Sequence, residues 1–237
     1  MATYNEIERA VMLLADEDRA THLQRYFKTG VGQYGAGDVF LGLRVPQLRS
    51  LSTLYYKDAQ PDTIEKLLNS RYHEFRLLAL FILVLQFKKK KTDKEKEDVV
   101  ELYLKNIDNI NNWDLVDASA PYILGAYLLH KPKALLYNLA QSGNLWQQRI
   151  AIISTYYFIK NNHFTDTLQI AERFLNHKHD LIHKATGWML REIGNKNKDV
   201  AIHFLTEHYH AMPRTMLRYA IEKFEPRLKE QFMKGII

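Results

Sequence analysis

Residues 146–194 read WQQRIAIISTYYFIKNNHFTDTLQIAERFLNHKHDLIHKATGWMLREIG. Apolar residues recur here with helical period through 146–160, 164–176 and 180–194, and polar, turn-forming residues interrupt them twice. The stretch therefore predicts helix, turn, helix, turn, helix. The first and third of these helices begin at 146 and 180, a separation typical of a helical-hairpin repeat.

The same pattern extends in both directions. Helices are predicted near 4–16, 17–27, 46–56, 61–69, 73–88, 93–107, 113–128, 132–141, 198–210, 213–224 and 226–234. Thr3 with Glu6 and Thr92 with Glu95 have capping-box spacing, and Pro46, Pro61, Pro132, Pro213 and Pro226 stand near helix starts, where a missing N–H costs nothing. No run of alternating Val, Ile or Thr is bounded by hairpin turns, so no sheet is expected. Second helices of successive pairs start near 73, 113, 146, 180 and 213. One hairpin cannot bury its own apolar faces, so stacked pairs imply an all-α solenoid with a concave side. The chain of 237 residues is expected to form a single repeat domain, with N-terminal helices and a Gly-rich loop over about 1–60 and paired helices over about 61–237.

Composition excludes several function classes. Cysteine is absent, which removes disulfides, thiolate metal sites and a cysteine nucleophile. The N-terminal MATYNEIERA lacks the basic start and apolar run of a signal peptide, and a cytoplasmic protein is expected. Leu77 to Phe87, the longest apolar stretch, is too short to span a bilayer and suits a buried helix. Lys+Arg number 33 against 27 Asp+Glu, and the excess of 6 favours a polyanionic partner.

Three local features invite functional readings that simpler ones explain. Gly30-Val31-Gly32-Gln33-Tyr34-Gly35 fits G-x-G-x-x-G, but helical residues precede it and the Gly-rich Ala36 to Gly42 follows, so it reads as a plain flexible loop. His177, His179 and His183 lack the converging ligands of a zinc site and read as surface histidines. Lys88 to Lys91 end a helix, where cations meet the negative pole of its dipole, although contact with a DNA backbone is the other reading.

The chemistry concentrates in three second helices. In Asn112-Trp113-Asp114-Leu115-Val116-Asp117, Trp113 and Asp117 share a helical face, and Asp117 has no basic residue three or four positions away. Such a carboxylate has to be satisfied from another helix or by a ligand. Pro121 cannot donate to the carbonyl of Asp117, so a kink is expected there. Trp146-Gln147-Gln148-Arg149 opens an otherwise apolar helix, with Trp146 expected in the core. In Gly187-Trp188-Met189-Leu190-Arg191-Glu192, Trp188 and Arg191 share a face and Gly187 permits a close approach. Two readings stand side by side. The tryptophans could fill the inter-repeat core, with Asp117 paired to Arg149 or Arg191. Or the set forms an aromatic cleft with one carboxylate and two phosphate-clamping guanidiniums.

These three motifs, in this order and spacing, resemble those of the AlkD-type DNA glycosylases, a HEAT-like repeat family, from about Tyr26 to the C-terminal helices and most strongly over 111–193. The resemblance implies a HEAT-like solenoid with a concave basic face, and hydrolysis of the N-glycosidic bond of N3- and N7-alkylated purines in double-stranded DNA. It further implies that the base is not flipped into a pocket, that no metal or other cofactor is needed, and that the protein acts as a monomer. Asp117 would be the catalytic carboxylate, Trp113 and Trp188 would contact the lesion's deoxyribose and backbone, and Arg149 and Arg191 would hold phosphates. Arg44, Arg214 and Arg218 are further expected DNA contacts, with Arg227, Lys229 and Lys234 extending the basic stretch. The chain departs from the family pattern at Asn112, where better-known members carry a second Trp, and at Arg44-Val45, where they carry Gln-Thr before the proline. Non-catalytic DNA binding by the same fold, or a protein-interaction scaffold, are the alternatives.

Overall fold

The computed structural model describes residues 2–237. It is all-helical, and the described residues include no strand beyond the isolated bridges Ala2 with Ala59 and Val39 with Tyr72. The chain divides into two compact units, one ending at Ile123 and one running from Leu124 to Ile237.

The first unit contains α1 (Tyr4–Met12), α2 (Glu17–Tyr26), α3 (Val45–Tyr55), α4 (Pro61–Leu68), α5 (His73–Lys89), α6 (Asp93–Lys105) and α7 (Trp113–Ser119). Both predicted capping boxes form. Thr3 and Thr92 donate their backbone N–H to Glu6 Oε2 and Glu95 Oε2 at 2.8 and 3.1 Å, and each threonine Oγ1 accepts from the glutamate N–H at 3.3 Å. α5 is the hub: every residue from His73 to Val84 is buried, as a helix apolar on all sides requires. α3, α5 and α7 lie side by side, and α4 and α6 pack on α5 as hairpin partners.

The second unit repeats the scheme with α8 (Ala126–Leu128), α9 (Ala134–Gln141), α10 (Leu145–Lys160), α11 (Thr165–Arg173), α12 (Asp180–Lys196), α13 (Lys198–His208), α14 (Arg214–Ala220) and α15 (Pro226–Lys234). Here α10, α12 and α14 form one layer, and α9, α11 and α13 pack against them. The tightest approach is at Gly187. A Cβ there would stand 2.4 Å from Met216 O, so what comes close to this glycine is the backbone of α14.

The interruption expected at Pro121 takes the form of a π-helical turn, Pro121–Gly125, following α7. A proline removes one ladder hydrogen bond, and a widened turn accommodates the loss without ending the helical path.

The Gly-rich segment between α2 and α3 is a series of turns, with neither the strand nor the helix a nucleotide loop needs. Its second half is pinned rather than free. The buried Glu74 accepts N–H bonds from Leu41, Gly42 and Leu43 at 2.9, 2.8 and 3.3 Å. Gly42, at φ +88°, lets this backbone pass where a Cβ would meet Asp16 O at 2.1 Å. The pinning comes from a carboxylate 32 residues away, which no local turn signal could reveal.

Candidate functional site

In the first unit the candidate residues sit on α7. Leu115, Val116 and Ser119 are buried, whereas Trp113, Asp114, Asp117 and Ala118 stay partly exposed, so one face of the helix is buried and the other reaches the surface. Tyr103 of α6 fixes the buried side. Its hydroxyl pairs with Ser119 Oγ at 3.2 Å, and that Oγ donates to Leu115 O at 2.6 Å.

The start of α7 is held by a buried polar cluster. His73, at the first turn of α5, is 1% exposed; its Nδ1 contacts Asp38 Oδ2 at 3.0 Å and its Nε2 contacts Asp114 Oδ2 at 2.8 Å. Arg76 donates to the other oxygen of Asp38, and Asn112 Nδ2 donates to Asp38 Oδ2 at 2.8 Å. Burial opposes a charge on His73, but the carboxylates of Asp114 and Asp38 outweigh it and push its pKa up to about 9. The ring is then an imidazolium that donates from both nitrogens. Burial likewise opposes ionisation of Asp38, and His73, Arg76 and Asn112 together hold its carboxyl below the ordinary range.

An aromatic stack runs alongside. Trp113 lies parallel to Phe27, with centroids 5.2 Å apart and planes at 8°. Phe27 stacks on Phe40 at 4.8 Å, and Phe40 on the His73 ring at 4.5 Å. Tyr26 meets Trp113 edge-on at 6.2 Å. Trp113 is thus set by its neighbours before any ligand arrives, and Asp117 follows one turn later on the same face.

In the second unit, Trp188 and Arg191 are brought together by Glu192. Trp188 Nε1 donates to Glu192 Oε1 at 3.1 Å, and Arg191 reaches the same oxygen at 3.9 Å while its other terminal nitrogen donates to Glu222. Tyr156 of α10 lies 5.9 Å from the Trp188 ring. Both Trp188 and Arg191 are partly exposed.

A family model described as DNA alkylation repair enzyme matches residues 7–224. The chain belongs to the DNA alkylation repair enzyme family. No curated protein matches the sequence. Among solved structures, a predicted DNA alkylation repair enzyme from Enterococcus faecalis is similar with a TM-score of 0.69 and 17% identity, covering 90% of this chain and 97% of its own. At that identity the likeness concerns the fold.

This DNA alkylation repair family member places its remaining candidate residues unevenly. Arg44 is exposed just ahead of α3, and its backbone N–H donates to Gln47 Oε1 at 2.7 Å. Arg149 is only 5% exposed, and its Nη1 donates to Leu181 O at 2.6 Å, tying α10 to the start of α12. Arg214 is exposed with one nitrogen on Met233 O at 2.9 Å, and Arg218 is exposed. Trp146, expected in the core, is half-buried, because it stands in the first turn of α10 where the packing begins.

The histidines are more embedded than surface residues. His177 Nε2 pairs with Gln148 Oε1 at 2.9 Å, His183 Nε2 with His177 O at 2.5 Å, and His179 Nδ1 accepts from Leu181 N–H to cap α12. Each has a structural task. No helix among the described residues is long and apolar enough to cross a membrane, and none of their His, Asp and Glu clusters could hold a metal ion.

Asn112, where the chain departs from the resembled pattern, is fully buried. Its Oδ1 accepts from the N–H of Trp113 at 2.8 Å while its amide holds Asp38. The residues missed from sequence were Asp38, His73 and Arg76. Their signal was present: His73, Glu74 and Arg76 open the longest apolar run of the chain, where charged groups need built-in partners.

Proposed function

We propose that this protein is a DNA glycosylase that hydrolyses the N-glycosidic bond of cationic N3- and N7-alkylated purines in duplex DNA, with Asp117 as the catalytic carboxylate. The observation that carries the reading is the α7 face, where Trp113 and Asp117 remain partly exposed one turn apart on a helix whose other side is buried and locked. Family membership supplies DNA alkylation repair as the setting.

The chemistry follows from charge. As C1′–N breaks, positive charge moves from the alkylated base onto the sugar, and a fixed carboxylate beside the sugar lowers the energy of that oxocarbenium-like state. A water oxygen adds to C1′, its proton is released, and the base departs neutral. Because the base starts as a cation, its departure needs no general acid. Trp113 and Trp188 offer indole surfaces to the deoxyribose and backbone, and the duplex need not surrender the base to a pocket. Arg191 would exchange Glu222 for a phosphate. Arg149, beneath the surface, contributes positive potential, and Arg44, Arg214 and Arg218 add exposed charge for the backbone. The protein acts as a monomer, in the cytoplasm.

The test is release of free base from methylated duplex DNA. Wild type should release 3- and 7-methylpurines, and Asp117→Asn should bind the same duplex while losing release on the order of a hundredfold or more. Binding without any release by wild type would leave a non-catalytic DNA-binding protein of the same fold. Full activity of Asp117→Asn would refute the carboxylate assignment.

A further inference from the structure

Within the first unit, α3, α5 and the end of α7 enclose a cleft of about 310 Å³ that the reading above does not use. Arg49 of α3 and Lys88 of α5 line it, together with Phe81, Ala118, Tyr122 and Ser52. The Arg49 guanidinium lies over the Phe81 ring at 4.3 Å, and the Lys88 ammonium over Tyr122 at 5.2 Å. Both cations are exposed, and among the described residues neither has a carboxylate partner or a protein acceptor for its N–H groups. No acidic side chain lines the cleft.

The dipole of α5 accounts for a lysine at its C-terminus, but not for an arginine brought to the same cleft from α3. A guanidinium laid on a ring keeps its donors at its edges, in the plane that matches two phosphate oxygens. Stacking also fixes both cations before a ligand arrives, which reduces the ordering cost of binding. Ala118, in the wall, follows Asp117 directly on α7.

We propose that this cleft binds one phosphodiester of the DNA backbone, with Arg49 and Lys88 as its ligands and Phe81 and Tyr122 as the platforms that aim them. The inference rests on the reading of DNA as the partner. It sets a strand position relative to Asp117 through residues the sequence motifs did not include.

The experiment is binding of undamaged duplex DNA measured across a salt series. Each lost phosphate contact should make the slope of log K against log salt shallower by about 0.9. Because both cations hold one phosphodiester, the double variant should show that whole change, and Arg49→Gln and Lys88→Gln should each show part of it. Lys66→Gln, which removes an exposed charge on α4 away from the cleft, should leave the slope as in wild type. Unchanged slopes in the cleft variants, or an equal change in Lys66→Gln, would overturn the proposal. Lys88→Gln lies at an exposed helix end and decides the matter if Arg49→Gln fails to fold. Inorganic phosphate at matched ionic strength is the second arm: it should weaken wild-type duplex binding more than chloride does and spare the double variant, because it competes with the backbone for the cleft, whereas phosphate that binds wild type but not the double variant and leaves duplex affinity unchanged would show a site for free phosphate and overturn the phosphodiester assignment. Base release on the same preparations separates the two readings. Release with unchanged slopes overturns the cleft alone, altered slopes without release overturn the glycosylase alone, and a wild type that does not bind duplex overturns both.

Discussion

Replacing His73 by Gln removes the cation between Asp38 and Asp114 while keeping a side chain of similar reach. The structure sets the size of the effect. A folded pKa of about 9 against an ordinary 6.5 corresponds to about 3 kcal/mol of preferential proton binding by the folded state. Because the folded pKa is raised, this stabilisation is fully present below pH 6.5 and is lost as pH rises through about 9. Asp38 is held below its ordinary value and does not titrate in that window. In the variant, Asp38 keeps Arg76 and Asn112, but Asp114 loses its imidazolium, and breaking a buried pair on one side costs about 3–5 kcal/mol. Urea unfolding followed by far-UV circular dichroism, at about pH 6 and about pH 10, measures both quantities. The gap between wild type and His73→Gln should be several kcal/mol at the lower pH and shrink by about 3 kcal/mol at the higher. A gap independent of pH would show that His73 is neutral in the folded protein, and the ion-pair account of the α7 anchor would be wrong.

Other substitutions probe separate parts of the argument. Gly187→Ala places a Cβ 2.4 Å from Met216 O and should destabilise the α12–α14 packing by about 1–3 kcal/mol, read as a lowered urea midpoint at unchanged m-value. Glu74→Gln retains an acceptor but loses the charge on three backbone N–H groups. It should cost about 1–3 kcal/mol and speed hydrogen exchange at Leu41 to Leu43, whereas unchanged exchange there would show that Glu74 does not pin the loop. Glu222→Gln frees Arg191 and removes a carboxylate beside it, so duplex affinity should rise several-fold at low salt; a fall would mean that Glu222 orients the guanidinium rather than competing for it.

Much of the architecture was legible because it rests on local rules. The capping pairs Thr3–Glu6 and Thr92–Glu95 involve neighbours three residues apart, and both form. The apolar runs of α5 and α10 announce helices buried on all sides, and α5 and α10 have that character. The hairpin spacing followed from counting, since a repeat shows itself as a period. Trp113, Asp117, Trp188 and Arg191 could be singled out for a related reason: they break the apolar pattern of helices that otherwise read as core.

The sequence by itself determined the helices, the succession of helical pairs and the helix that carries Asp117, because periodicity and capping act over a few residues. What only the tertiary structure decided is how those side chains are held. Asp38, His73 and Asn112 meet across 35 and 74 residues, Gly187 admits the backbone of α14, and Arg49 and Lys88 converge from two helices. Contacts of this kind follow from the stacking of helices, which turns each helix to one particular face of its neighbours. A local pattern names the face that is apolar, but the partner that will lie against each polar residue is fixed only when the layers pack.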